Sequence, residues 1–141
     1  MRVMHLALGG CLKAPPVNYG LTEDTGGHIA FVLGAAQAQA AQPEVAHVDI
    51  VTRAFSDPLL GSGYGRLEER VGAHLSILRL RTKERAYLSK EALANALPEL
   101  EGAFLDLLEA MVQKPDVLHA HFADAARLAH AAHRRFGIPW V

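Results

Sequence analysis

Short apolar runs closed by turn residues alternate along this chain with longer stretches whose apolar residues recur every three or four positions. Residues 3–8 form the first run and stop at Gly9-Gly10, the mark of a buried strand reaching a turn. Residues 11–26 carry Pro15-Pro16, Asn18 and Gly20 and read as a loop. Ile29, Val32, Leu33 and Ala36 then fall at i, i+3, i+4 and i+7, which predicts a helix with one inward stripe. Asp24 or Thr25 is its expected N-cap, and Gln42-Pro43 its end. Residues 45–53 predict a second strand around Val48, Ile50 and Val51, followed by a glycine-rich loop over 55–66. Residues 75–81 predict a third, in which Leu75, Ile77 and, less cleanly, Arg79 share a face. Ser89 and Glu91 start a helix that Pro98 interrupts; Pro98 suits the first turn of a longer one striped with Leu100, Phe104, Leu107, Leu108 and Met111. Residues 116–122 predict a fourth strand. Asp124 opens a last helix, with Ala125, Leu128, Ala129, Ala132 and Phe136 inward and Gly137 as its cap. Residues 138–141 begin another strand.

Strands alternating with helices imply an α/β fold with a doubly wound, mainly parallel, Rossmann-like sheet. A domain rarely stops on the first residues of a core strand, so the chain is expected to be a truncated part of a longer protein. Its 141 residues are 50% apolar and 21% charged, with 14 basic side chains against 15 acidic ones. That composition excludes a disordered tail, and the balanced charge excludes binding nucleic acid by bulk electrostatics. Cys11 is the single cysteine, so there is no intrachain disulfide. No stretch approaches the roughly 18 continuous apolar residues of a membrane span, and the first residues lack the cleavage site of a signal peptide. A cytoplasmic protein is expected.

Ligands of open α/β sheets bind beyond the carboxyl ends of the strands. Here that means the loops at 9–27, 54–66 and 121–124. In the first, Asp24-Thr25-Gly26-Gly27-His28 puts two glycines at a helix start. Free N–H groups there attract an anion such as phosphate, although a plain capped turn has the same composition. The pattern is not G-x-G-x-x-G, so it does not indicate a dinucleotide site. His119 and His121 share one face of their strand, with no third ligand evident nearby, so no metal is expected. His121, at the strand's end, is the candidate for touching a substrate, and His119 reads as a core histidine. His130 and His133 beside Arg134 and Arg135 read as a solvated helix face, and Cys11 as a packing residue. Lys83, Arg85 and Lys90 form a basic rim that is either solvated or in contact with an anion.

Four stretches taken together resemble the N-terminal, acceptor-side domain of the sucrose-phosphate synthase and sucrose synthase group of retaining GT-B glycosyltransferases (glycosyltransferase family 4). They are Asp24-Thr25-Gly26-Gly27 before an aliphatic helix; Val48-Asp49-Ile50-Val51-Thr52-Arg53; Tyr87-Leu88-Ser89-Lys90-Glu91-Ala92-Leu93 with Leu97-Pro98-Glu99-Leu100; and His119-Ala120-His121-Phe122-Ala123-Asp124-Ala125. The resemblance implies a cleft between two Rossmann-like halves, of which the donor-binding C-terminal one is absent here, so the chain alone is expected to be inactive. It implies a UDP- or GDP-sugar as substrate, a sugar or sugar-phosphate acceptor, no cofactor and no metal. Gly26 and Gly27 would lie against the donor's diphosphate and transferred sugar, His28 would face the acceptor, and His121 and Asp124 would sit at the cleft floor, His121 supporting catalysis. Two positions depart from the pattern: His28 stands where Gln is usual, and Ala86 where Lys is frequent before the aromatic residue. Lys83 or Arg85 would then supply the acceptor-side charge. A non-catalytic α/β module holding a small anionic metabolite at Gly26-Gly27 is the alternative from another class. A flavodoxin-like receiver would need acidic residues where this chain has Gly9-Gly10-Cys11-Leu12.

Overall fold

The computed structural model describes residues 1–141. Its elements are β1 (Arg2–Leu6), α1 (Gly27–Ala40), β2 (His47–Arg53), β3 (Glu68–Gly72), β4 (Leu75–Leu80), α2 (Lys90–Leu93), a 3-10 turn (Ala94–Ala96), α3 (Leu97–Ala110), β5 (Val117–Ala120) and α4 (Phe122–Phe136). The strands form one sheet in the order β3-β4-β2-β1-β5. β1 is parallel to both β2 and β5, and β2 is parallel to β4; only β3 runs antiparallel, against β4. The expected mainly parallel α/β sheet is the fold observed.

Both faces are covered, as the near-continuous apolar strands require. On one face the predicted stripe of α1, Ile29, Val32, Leu33 and Ala36, packs on Val3, Val48, Ile50, Leu75 and Ile77. On the other, Leu100, Phe104 and Leu108 of α3 and Leu128, Ala129 and Ala132 of α4 pack on Met4, Leu6, Val51 and Leu118. Neighbouring residues of β1 therefore serve opposite layers. Pro98 lies in the first turn of α3, and Gly137 ends α4 in the left-handed region, with φ of 72° and its N–H bonded to His133 O. Residues 139–141 continue the sheet past β5: Leu118 N–H donates to Pro139 O and Val141 N–H to Leu118 O. No helix is long and apolar enough to cross a membrane.

Two expectations need correction, and one strand was not expected. The glycine-rich loop read after β2 is present, but it leads to β4 through the edge strand β3, which the hydrophobic pattern hides. β3 turns Glu69 and Val71 inward, and Glu69 meets the buried Arg79 rather than an apolar neighbour. The last helix starts at Phe122, so Asp124 lies inside its first turn. Finally, neither Asp24 nor Thr25 caps α1: the N-cap is Gly26, with no side-chain cap bond.

Candidate active site

The strand order reverses at β1, with β2 on one side and β5 on the other. A crevice opens beyond the carboxyl ends of β1 and β5, the switch point where open α/β sheets bind ligands. Three loops build its rim, and their own contacts hold them. Arg79, buried in β4, donates to Leu12 O (3.0 Å), Arg66 O (3.1 Å) and Glu69 Oε1 (3.3 Å), so one guanidinium ties the 9–27 loop to β3. Cys11, Phe55 and Tyr64 form a small core beneath the loops, with the Phe55 and Tyr64 rings stacked at 4.7 Å. Cys11 is thus the packing residue its sequence context suggests. Gly10 has φ of +80°, and a Cβ there would meet Asp24 O at 2.6 Å, so only glycine fits.

The side chains expected to cap α1 are committed to these loops. Asp24 Oδ2 accepts from Tyr87 OH (2.8 Å) and from the Lys90 N–H (3.2 Å), while Thr25 Oγ1 accepts from the Cys11 N–H (2.8 Å). Burial and the Asp24 carboxylate push the Tyr87 phenol well above its ordinary range. The first helical turn is consequently bare. Gly26 O accepts from Ile29 and Ala30, whereas the N–H groups of Gly26, Gly27 and His28 have no partner within the chain. Space is open where either glycine would carry a Cβ. Three amides at a positive helix end with no obstruction above them constitute an anion seat.

Beside that seat is a cleft of about 150 Å³ whose lining includes Gly9, Asp24, His28, Lys90, Phe122 and Asp124. The His28 and Phe122 rings meet edge to face at 5.5 Å, and Lys90 Nζ lies 5.4 Å from the Phe122 centroid. Phe122 has φ of 72° and is 59% exposed, an uncommon conformation for a large side chain, held at the point where β5 gives way to α4. The Asp124 carboxyl is pushed up by burial; the Ala125 N–H, at 2.7 Å from Oδ1, and the positive charge of Lys90 pull the other way.

A second concavity shares His28 and Phe122 with this cleft and is lined also by Gly27, Phe31 and His121; behind His121 three imidazoles meet. His5 lies opposite His119 in the β1–β5 register, and both, with His121, are on the face that α1 covers. His5 Nδ1 is 2.9 Å from His121 Nε2, and its Nε2 is 2.8 Å from Gln39 Oε1 on α1. The His119 ring stacks over His121 at 4.4 Å and His5 at 5.0 Å. Burial lowers the pKa of His5 and, with its neighbouring histidines, takes His121 down to about 4. Both are therefore neutral at neutral pH. His119 was expected to stand without a third partner; in fact the three rings bring ligand atoms within 4.8 Å of one another. They do not fit a metal as arranged, because a metal lies in the plane of every imidazole it binds. Here the planes are within 16–29° of parallel, His119 is stacked on the others, and His5 and His121 already occupy each other's nitrogens.

The structure thus places His28 and Asp124 in one cleft with Lys90, which the sequence placed only on a basic rim, and Gly27 and His121 in an adjoining concavity that shares His28 and Phe122 with it, with Gly26 next to Gly27 at the helix start. Lys83 and Arg85 lie elsewhere. The Lys83 N–H bonds Glu99, and Arg85 lines a separate, smaller depression with Arg81 and Thr82. His130 and His133 are exposed on α4, as expected. His5 and Gln39 escape a sequence reading altogether, because only strand register and helix docking place them beside His121.

No protein-family model matches the chain. It is 28% identical to a probable sucrose-phosphate synthase of rice (Oryza sativa subsp. indica), 27% to the sucrose-phosphate synthase of Zea mays and 26% to that of Spinacia oleracea, in each case over 99% of this chain. The chain spans only 15–16% of the length of these curated relatives. Its fold superposes on a sucrose-phosphate synthase of Thermosynechococcus elongatus with a TM-score of 0.79 and 20% identity, over 99% of this chain and 31% of the other. In sequence along almost its whole length, and in its GT-B-type α/β fold, the chain is homologous to one segment of the sucrose-phosphate synthases.

Proposed function

We propose that this chain is the acceptor-side, N-terminal half of a retaining glycosyltransferase that moves a sugar from a UDP- or GDP-sugar to a sugar or sugar-phosphate, and that a donor-binding half completes the cleft. The observation that carries the reading is the set of three unpartnered amides at Gly26, Gly27 and His28, open to the crevice that His121 also lines. A nucleotide diphosphate gains negative charge as the glycosidic bond breaks. Fixed N–H dipoles aimed at it stabilise that charge without reorganising. The transferred sugar passes through an oxocarbenium-like state, next to which a neutral imidazole or a backbone carbonyl lends electron density. His121, neutral and at the crevice floor, takes that place. His28 and Asp124 face the acceptor, with Lys90 as the cation nearest to them. Lys83 and Arg85 line neither the cleft nor the concavity beside His121, and Arg85 lines a separate depression, so they reach only an extended acceptor.

A screen of nucleotide sugars against sugar and sugar-phosphate acceptors, on the complete protein, tests this. Transfer with retained anomeric configuration is expected, and His121→Ala should lower turnover at least about 100-fold, the scale of one electrostatic contact in a transition state. Unchanged turnover in that variant would remove His121 from the mechanism.

A further inference from the structure

Resting on the catalytic reading of His121 only for its consequence, not for its geometry, we propose that Gln39 and His5 form a hydrogen-bond relay that holds His121 in one tautomer, with the proton on Nε2 pointing into the sheet and a bare Nδ1 toward the crevice. Gln39 and His5 are then positioning residues for that imidazole.

The chain of contacts is short and enclosed. Gln39 Oε1 lies 2.8 Å from His5 Nε2, and His5 Nδ1 lies 2.9 Å from His121 Nε2. An amide oxygen only accepts, so the proton of His5 sits on Nε2. A neutral imidazole has one proton, which leaves His5 Nδ1 a bare acceptor. The short contact at 2.9 Å then requires His121 to be the donor through Nε2. His5 is fully buried, and its burial keeps the second proton off. His121 Nδ1 has no partner within the chain, and its ring lines the concavity bounded by Gly27, Phe31 and Phe122.

The groups facing His121 are uniform. His5 comes from β1, His119 from its own strand, His28 from α1, and no carboxylate is bonded to it. A histidine held by a carboxylate is pulled toward the charged form; this one is held by a neutral relay that ends in an amide. It therefore offers the crevice a hydrogen-bond acceptor for a hydroxyl group, and not a positive charge. The relay also fixes the ring plane, since His119 stacks across both imidazoles.

Long-range ¹H–¹⁵N correlation on the ¹⁵N-labelled 141-residue chain at neutral pH reads the tautomers without any assay of activity. His5 and His121 are both expected to show an N–H-type Nε2 and a bare Nδ1. Gln39→Leu should move both toward averaged shifts, while Gln39→Glu, which keeps an acceptor in place, should preserve the pattern. In the complete protein Gln39→Leu should lower kcat about tenfold with KM unchanged, and Gln39→Glu should restore most of it. A proton on His121 Nδ1 in the parent chain, or identical imidazole spectra with Leu at position 39, overturns the relay. If Gln39→Leu does not fold, the parent spectrum and Gln39→Glu decide alone. The relay pattern combined with an active His121→Ala enzyme would leave the relay standing and remove only the catalytic reading.

Discussion

Two glycines near the helix start, Gly10 and Gly27, do different jobs. Gly10 is required by the backbone: its φ is positive and Asp24 O occupies the space of a Cβ. Gly27 is not required by the fold, since nothing lies within 4 Å of its Cβ position and it opens a helix where alanine is favoured. Thermal unfolding should separate them. Gly10→Ala is expected to lose about 1–3 kcal/mol, whereas Gly27→Ala should unfold at the parent temperature or above it and yet bind a nucleotide sugar more weakly. At the same scale, the lowered pKa of His121 makes stability depend on acidity. Between pH 6.5 and about 4 the unfolded chain binds a proton at this residue that the folded chain refuses. Stability therefore falls as the pH drops through that window, by at most about 1.4 kcal/mol per pH unit for each proton. His5 adds to the slope with the same sign, while Asp124 and Asp49, whose folded values are raised, oppose it at lower pH. Urea unfolding across this range should give a shallower decline for His121→Asn than for the parent; superimposable pH profiles would contradict the linkage.

Among the elements, β3 and β4 show how a buried charge organises loops. Arg79 is 4% exposed in the middle of an otherwise apolar face, and its only carboxylate is Glu69 on β3. Removing one member of a buried pair leaves the other uncompensated, which typically costs about 3–5 kcal/mol. Glu69→Ala should accordingly destabilise the chain far more than Arg127→Ala, whose partner Glu101 is on the surface. Because Arg79 also holds Leu12 O, hydrogen exchange in the 9–27 loop should quicken in the Glu69 variant; unchanged exchange there would break the proposed link between β3 and the crevice. α1 illustrates a second point. Its N-terminal amides are available because Asp24 and Thr25 serve the neighbouring loops, so the bare first turn comes at the expense of a capping bond worth about 1 kcal/mol.

For the whole molecule, the proposed function makes the crevice one wall of a site. His28, Phe31 and Phe122 present their rings outward, and Phe31 and Phe122 are 63% and 59% exposed at the mouth. With only one wall, ligand binding depends on the amide seat and Lys90 alone. Calorimetry on the isolated chain should therefore show weak nucleotide-sugar binding and no turnover, with the full reaction confined to the complete protein. Turnover by the 141-residue chain itself would refute the division of labour proposed between two halves.

Periodicity alone was enough for the α/β class, the inward stripes of α1, α3 and α4, the Pro98 start and the Gly137 stop, because each is a local consequence of residue spacing or backbone preference. The motifs around Gly26, His121 and Asp124 were also legible as positions beyond the strand ends, which is where the structure places them. β3 was not, because its inward face satisfies a charge and carries no apolar stripe. The bare first turn of α1 was equally hidden: Asp24 and Thr25 are good caps by type, and only their contacts with Tyr87, Lys90 and Cys11 divert them. The pairing of His5 with His121 spans 116 positions of sequence. Strand order, register and the docking of Gln39 bring those nitrogens together, and no local pattern encodes a contact that long-range packing alone creates.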